Sequence, residues 1–434
     1  MNASGPYDVL VVGAGSAGPA AARTAAALGL RTALLEKARV PGEKNVSGTC
    51  LNTAALVDPD LHYLLDGPVE REIRSMRTYL VTEGRTTVIH EIPDRGILLL
   101  SIRRDRFDAW HAELARKAGA AVRLGCPVVD IVEEAGAIRG VVTDAGERLA
   151  ARVVIDAGGV NSLAGRKAGL IERRSGTSMI LYVTVAIHLG RRRIDRRFGD
   201  TIEYYLAPGC QHKVWPWVFP KRDVITLGTG GYMTGDLVGE RCPSVNAYLQ
   251  NFMDLPMLRP RLEGGRIVSW GLHLEYDEET QHRTRDGLIL AGEAGGFVIP
   301  FLGEGMPEAY FSGIYAARAA ARAIAAGDVS AATLQAAYDE QLDANLFMKA
   351  FHHVGACNKA SILAKSDEEI AGLMQSVVMG GGFITNTVHT GWITGADEGD
   401  LDKVRQARDF LGLLQPYRSI GSDFDEVYAA RRRR

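Results

Sequence analysis

Three glycines, Gly13, Gly15 and Gly18, follow the strand-like run YDVLVV and open an alanine-rich stretch, and Glu36 closes the next apolar run. This G-x-G-x-x-G spacing with a later acidic residue is suited to holding a dinucleotide. Gly13 allows the tight turn, Gly15 lets the backbone approach a pyrophosphate, and Gly18 lets a helix pack closely on the strand. Glu36 accepts from the ribose hydroxyls. NAD and FAD proteins share the pattern, so the choice between them rests on residues further along.

Three later segments choose FAD. SIRRDRFDAWHAELARKAG places Arg104 just ahead of an amphipathic helix, and the strand after it brings Val128 toward the same site. ARVVIDAGGVNS is a strand running into a glycine turn, where Ala157 and Gly158 let the backbone approach a phosphate or flavin. DGLILAGEAGGF is a buried strand with Gly292 and Glu293 in its turn, and the loop after it carries Gly303 and Gly305. A long helix begins near Met306 or Pro307. Its partial positive charge favours an anion such as reduced flavin at the N1 edge. Ala17 and Lys37 complete the first nucleotide unit, and Lys44, Ser47 and Gly48 lie on the loop that follows it.

A second pattern asks for a different partner. In KVWPWVFPKRDVITLGTG, Trp215, Trp217 and Phe219 recur at every second position before Pro220, while Val214, Pro216 and Val218 alternate with them. Period two sends the three rings to one face of a strand. They either fill a core or wall a flat apolar pocket, and their place beside a cofactor domain favours the pocket. Proton donors for such a pocket are sought among Cys50, after the PGEKNVSGT loop, and Tyr204 or Tyr205, on the preceding strand.

These residues need a scaffold, and composition bounds it. The chain has 434 residues, 46% of them hydrophobic, and a formal net charge of -2, which fits a globular protein with real cores and gives no global basic excess for nucleic acid. The arginines closing the chain read as a solvated end. No charged n-region precedes a cleavable apolar segment, and no apolar run approaches the roughly 20 residues of a spanning helix. A cytoplasmic protein with at most peripheral membrane contact is expected. Five scattered cysteines (Cys50, Cys126, Cys210, Cys242, Cys357) argue against a disulfide framework, zinc site or iron-sulfur cluster. The adjacent His352 and His353 make a poor metal pair on a helix.

The fold expected is α/β plus α+β. A Rossmann-like FAD-binding domain takes residues 1–180, chiefly about 1–80 and 100–180, and returns at 280–330. An inserted antiparallel-sheet substrate domain takes 181–279, and a helical C-terminal subdomain 331–434. That subdomain is punctuated by MGGGF at Met379–Phe383, and its apolar residues either line a substrate entrance or simply cap the fold.

The chain resembles the FAD-dependent superfamily containing geranylgeranyl reductases, the flavoprotein of the Fix electron-transfer complex and electron-transfer-flavoprotein:quinone oxidoreductases. PGEKNVSGT resembles the flavin-covering loop of the Fix and quinone-reducing branch, whereas PWVFPKRDVITLGTG and GEGMPEAYFSG look like the geranylgeranyl reductase branch. Two departures stand out. Gly158-Gly159 replaces the Asp-Gly pair that flavin hydroxylases use with NADPH, and Gly292-Glu293 replaces the usual Gly-Asp. The resemblance implies an FAD enzyme that reduces carbon–carbon double bonds of a hydrophobic, isoprenoid substrate, with electrons from a ferredoxin or flavoprotein. Cys50 is then the favoured proton donor, because geranylgeranyl reductases carry a cysteine near this loop. Two rivals remain: an electron-transfer module serving a quinone or ferredoxin, and a flavin halogenase or monooxygenase, since Trp215–Pro220 resembles the halogenase Trp-x-Trp-x-Ile-Pro stretch. A halogenase also needs a lysine between flavin and substrate, which no motif here places.

Overall fold

A computed structural model describes residues 5–345 except 83–84, 95, 172–177, 212, 234–243, 277–279, 281 and 300–302, and beyond them 347–348, 424 and 428–431. Cys242, His352, His353, Cys357, the Met379–Phe383 stretch and Arg432–Arg434 lie outside the described residues, as does most of the expected C-terminal subdomain.

From its N-terminus the chain forms β1 (Tyr7–Val12), the helix Ala17–Ala27, β2 (Thr32–Glu36), β3 (Cys50–Asn52), β4 (Val69–Ile73), β5 (Ser75–Thr82), β6 (Arg85–Ile92) and β7 (Leu99–Ile102). After the helix Arg104–Lys117 come β8 (Ala121–Leu124), β9 (Val128–Glu134), β10 (Ala137–Thr143) and β11 (Arg148–Asp156). Then follow β12 (Met179–His188), β13 (Thr201–Leu206), β14 (Lys213–Pro220), β15 (Val224–Tyr232) and β16 (Arg266–Tyr276). The chain returns through β17 (Thr284–Arg285) and β18 (Leu288–Leu290) to the helices Met306–Ala326 and Ala331–Ala344.

The first sheet has the order β17-β18-β11-β1-β2-β8, with β10 and β9 joined through β11. β1 lies parallel to both β2 and β11 at its centre. Val9–Val11, Leu34 and Val153–Ile155 are sealed on both faces, as parallel strands covered by helices on either side require. The helix Ala17–Ala27 packs against Met306–Ala326, and the small alanines of both allow the close approach. Pro307 in the first turn and a left-handed Gly327 (φ +73°) mark the ends of the longer helix. No helix among the described residues is long and apolar enough to cross a membrane.

The second sheet corrects the expected boundaries. Its order is β16-β12-β15-β14-β13-β5-β6, so residues 75–92, assigned above to the FAD domain or left between its parts, complete it. β13 pairs with β5 in parallel, and the sheet is therefore mixed rather than antiparallel throughout. The reason is local to β13: its outer edge is covered by a strand that arrives from far upstream in the chain, so no hairpin sets its direction. One face of this sheet packs Val183, Val185, Tyr205 and Val218 on the helix Val245–Met253. The other carries Ile180, Tyr182, Ile202, Trp217 and Phe219. A small sheet, β3-β7-β4, packs Leu51, Leu100 and Ile102 into the core beneath the first sheet and Ile73 into the cluster of Trp217 and Phe219.

Candidate active site

The chain turns at Gly13 (φ +97°) between β1 and its helix, where a Cβ would stand 2.5 Å from the Ala157 carbonyl oxygen. A Cβ on Gly18 would stand 1.8 Å from the Gly13 oxygen, so Gly18 serves helix packing from behind the turn, not the cavity wall. Gly15 is different. Its Cβ would meet nothing nearer than the Arg104 guanidinium, at 3.8 Å, and what lies beside it is open cavity. Glu36 accepts from the amides of Ala14 at 2.6 Å and Ala38 at 2.8 Å, which leaves lone-pair capacity for a ribose. Arg104 is held by Asp108, with Nε 2.8 Å from one carboxylate oxygen, so a fixed positive charge stands beside the turn.

That space belongs to one cavity of 1540 Å³, larger than the roughly 300–1,000 Å³ of a single-ligand pocket. Ala17, Lys37, Lys44, Ser47, Gly48, Val128, Ala157, Gly158, Gly292, Glu293, Gly303, Gly305 and Met306 all line it. Glu293 is steadied from behind by the Tyr276 amide at 2.9 Å. A glycine cradle, a ribose-facing carboxylate and a guanidinium on one elongated wall fit FAD.

The same cavity runs on to the aromatic strand. Trp215, Trp217, Phe219 and Tyr204 line it. Tyr182 meets Trp217 edge-on at 5.7 Å and stacks on His273 at 4.8 Å, and Tyr204 meets Phe219 edge-on at 5.5 Å. The loop expected over the flavin rests on these rings: a Cβ at Gly48 would stand 2.7 Å from Trp217 Nε1 and 2.8 Å from Phe219.

Three expectations need correction. The register of β14 slips between Val214 and Trp217, where Pro216 has no amide to donate, so Val214 joins the cavity wall instead of the opposite face. Pro220 is not on the wall; its carbonyl accepts from Ser101 Oγ at 2.9 Å. Tyr205 points away because successive strand residues alternate. It is fully buried, and its hydroxyl donates to Glu203 at 2.7 Å.

Four ionisable groups gather where the covering loop meets the aromatic strand. Cys50, on β3, lines the cavity, and burial pushes its thiol up against the opposing pull of Lys221. Burial also raises the Tyr204 phenol. Lys221, passed over in the sequence although it directly follows Phe219-Pro220, is fully buried and lowered to about 8 by desolvation. Its ammonium donates to the carbonyls of Gly48 at 2.5 Å and Thr49 at 2.8 Å, tying the covering loop to the end of β14. Glu304, also passed over, stands between Gly303 and Gly305 on the wall, bonded to the Asn52 side chain and raised to about 7 by burial. Four residues on, Glu308 is fully buried, and neither carboxylate oxygen has a side-chain partner among the described residues. The visible signal for both was an acid-rich GEGMPE run at the start of a long helix.

Comparisons with known proteins agree with this geometry. The family model for FAD dependent oxidoreductases matches residues 8–177. A probable electron transfer flavoprotein-quinone oxidoreductase of Escherichia coli (strain K12) is 30% identical over 365 residues, 80% of this chain and 83% of its own. The digeranylgeranylglycerophospholipid reductase of Thermoplasma volcanium is 30% identical over 339 residues, 75% of this chain and 80% of its own. Among solved structures, a geranylgeranyl bacteriochlorophyll reductase-like protein of Thermoplasma acidophilum superposes with a TM-score of 0.75 at 24% identity, covering 97% of this chain and 99% of its own. A flavin-dependent brominase shares the fold with a TM-score of 0.67 at 20% identity, covering 95% of this chain and 100% of its own. The chain is thus an FAD-binding member of the FAD-dependent oxidoreductase superfamily that contains geranylgeranyl reductases, Fix flavoproteins and electron-transfer-flavoprotein:quinone oxidoreductases.

Proposed function

We propose that this protein reduces carbon–carbon double bonds of a hydrophobic, isoprenoid or prenylated substrate. The observation that carries the reading is the continuity of one cavity from the glycine turn to a chamber walled by Trp217, Phe219, Tyr204, Tyr182, Ile202 and Leu99. Such a chamber offers flat and branched apolar surface to a chain of isoprene units, and few polar groups to orient anything else.

Bound FAD supplies hydride chemistry. The chain's own residues do the rest. Arg104 and the amides of the Gly13–Gly18 turn receive the pyrophosphate, and Glu36 receives the ribose. Trp217 and Phe219 support the covering loop from below and hold the alkene flat beside it, which fixes its distance and excludes water. Cys50, Tyr204, Tyr182 and Glu304 are groups on the chamber wall that can carry a proton.

A second reading, electron transfer to a quinone or ferredoxin, is favoured by the Lys44–Gly48 loop and by the named relatives of that kind. The halogenase reading gains only a shared fold, and Lys221, which does not line the cavity, spends its amine on the Gly48 and Thr49 carbonyls. Anaerobically reduced protein mixed with a prenylated lipid tests the proposal. Flavin should reoxidise while mass spectrometry finds the lipid heavier by two hydrogens per double bond reduced. Unchanged lipid across a range of prenyl chain lengths would reject it.

A further inference from the structure

Building on the alkene-reductase reading, we propose that Glu304 is the acid that delivers the proton to the substrate carbon, in place of the Cys50 thiol. Its position supports this. Glu304 sits on the cavity wall just ahead of the helix Met306–Ala326, its side chain bonded to Asn52 of β3, within electrostatic reach of Cys50 on β3 and Tyr204 on β13. It therefore stands among the groups that border the aromatic chamber, on the same cavity as the cofactor cradle.

The groups facing this spot differ in what they can give. The Cys50 thiol and the Tyr204 phenol are pushed up by burial, and each part with a proton less readily than in water. His273 is lowered to about 4 by burial and carries no spare proton at neutrality. The Lys221 ammonium is occupied by the Gly48 and Thr49 carbonyls. Burial pushes the Glu308 carboxyl well above the usual carboxylate range, and Glu308 does not line the cavity. Glu304, raised to about 7, is the group of this set that exchanges a proton with the cavity near neutral pH, where general acids work best.

The π bond of the alkene is consumed. One carbon would take a hydride, with its electron pair, which bound FAD would supply once reduced by a ferredoxin- or flavoprotein-class donor. The other carbon takes the Glu304 proton, and the carboxylate left behind regains a proton from water.

Glu304→Gln and Glu304→Asp test the assignment in two ways. In single turnover with a prenylated lipid, Glu304→Gln should form product roughly 100- to 10,000-fold more slowly, the usual worth of a general acid. Wild-type rate should be flat below about pH 7 and fall above it, as Glu304 loses its proton. Glu304→Asp should keep such a limb and Glu304→Gln should lack it. Without turnover, alkylation of Cys50 in the oxidised holoprotein, followed by peptide mass, should reach its midpoint at lower pH in Glu304→Gln, because a negative neighbour is gone. Product at wild-type rate from Glu304→Gln, or an unmoved Cys50 midpoint, overturns the role of Glu304 and leaves the reductase reading standing. No product from wild type overturns both.

Discussion

Lys221→Met isolates the tie between the covering loop and the aromatic strand. Burial lowers the ammonium from an ordinary 10.5 to about 8, and at ~1.4 kcal/mol per pH unit the charged form costs about 3 kcal/mol at pH 7. Against this stand two hydrogen bonds from a charged donor, to Gly48 and Thr49, worth roughly 1.5–3 kcal/mol each. Methionine removes the cost and both bonds together, so the variant should lose no more than about 3 kcal/mol at pH 7. The pH dependence is sharper. Between about 8 and 10.5 the unfolded chain keeps a proton that the folded chain has released, so wild-type stability should rise with pH across that window relative to the variant. Below it the difference should be constant. Urea unfolding of both holoproteins at pH 7 and pH 10 measures the change, expected at up to about 3 kcal/mol. The loop, released from its anchor, should also let FAD dissociate faster. A stability difference that does not change with pH would refute the reasoning, because it would mean that Lys221 is not desolvated.

Gly15→Val should leave the purified protein colourless, since its side chain would enter the open space beside the turn; full flavin content would contradict this. Trp217→Ala should retain FAD yet weaken prenyl substrate by about 2–4 kcal/mol, read as a raised KM, if substrate covers the ring. Wild-type kinetics with a lowered melting temperature would assign the ring to the core alone. Tyr205→Phe should leave product formation unchanged and cost about 1 kcal/mol of stability, because the hydroxyl's bond to Glu203 and the longer one it accepts from Arg261 are lost. A loss of activity there would reopen Tyr205 as a site residue.

The nucleotide cradle was readable because its constraints are local. Gly13, Gly15 and Gly18 act through backbone shape over one strand-turn-helix unit, Glu36 acts through its carboxylate at the end of the next strand, and the spacing carries that information. The substrate sheet was less readable because β5, carrying β6 on its other edge, arrives from upstream to pair with β13, a long-range choice that no local pattern announces. The aromatic face was half-read: alternation placed Trp217 and Phe219, while the slip at Pro216 moved Val214. Glu304 and Lys221 stayed hidden for a physical reason. An acid in a glycine loop and a lysine after Phe-Pro look solvated in sequence, and burial by β3 and its preceding loop makes them chemically distinct.

A single substrate bearing both a quinone head and an unsaturated prenyl tail tests the central claim most directly. The protein, reduced anaerobically with one equivalent of electrons pairs per FAD, is mixed with this prenylquinone, and the product is reoxidised in air before fragmentation by mass spectrometry. The account predicts two added hydrogens retained in the tail, since those bonded to carbon survive reoxidation. A product that returns to the starting prenylquinone, after the flavin has been fully reoxidised, would contradict it and identify the head as the electron acceptor.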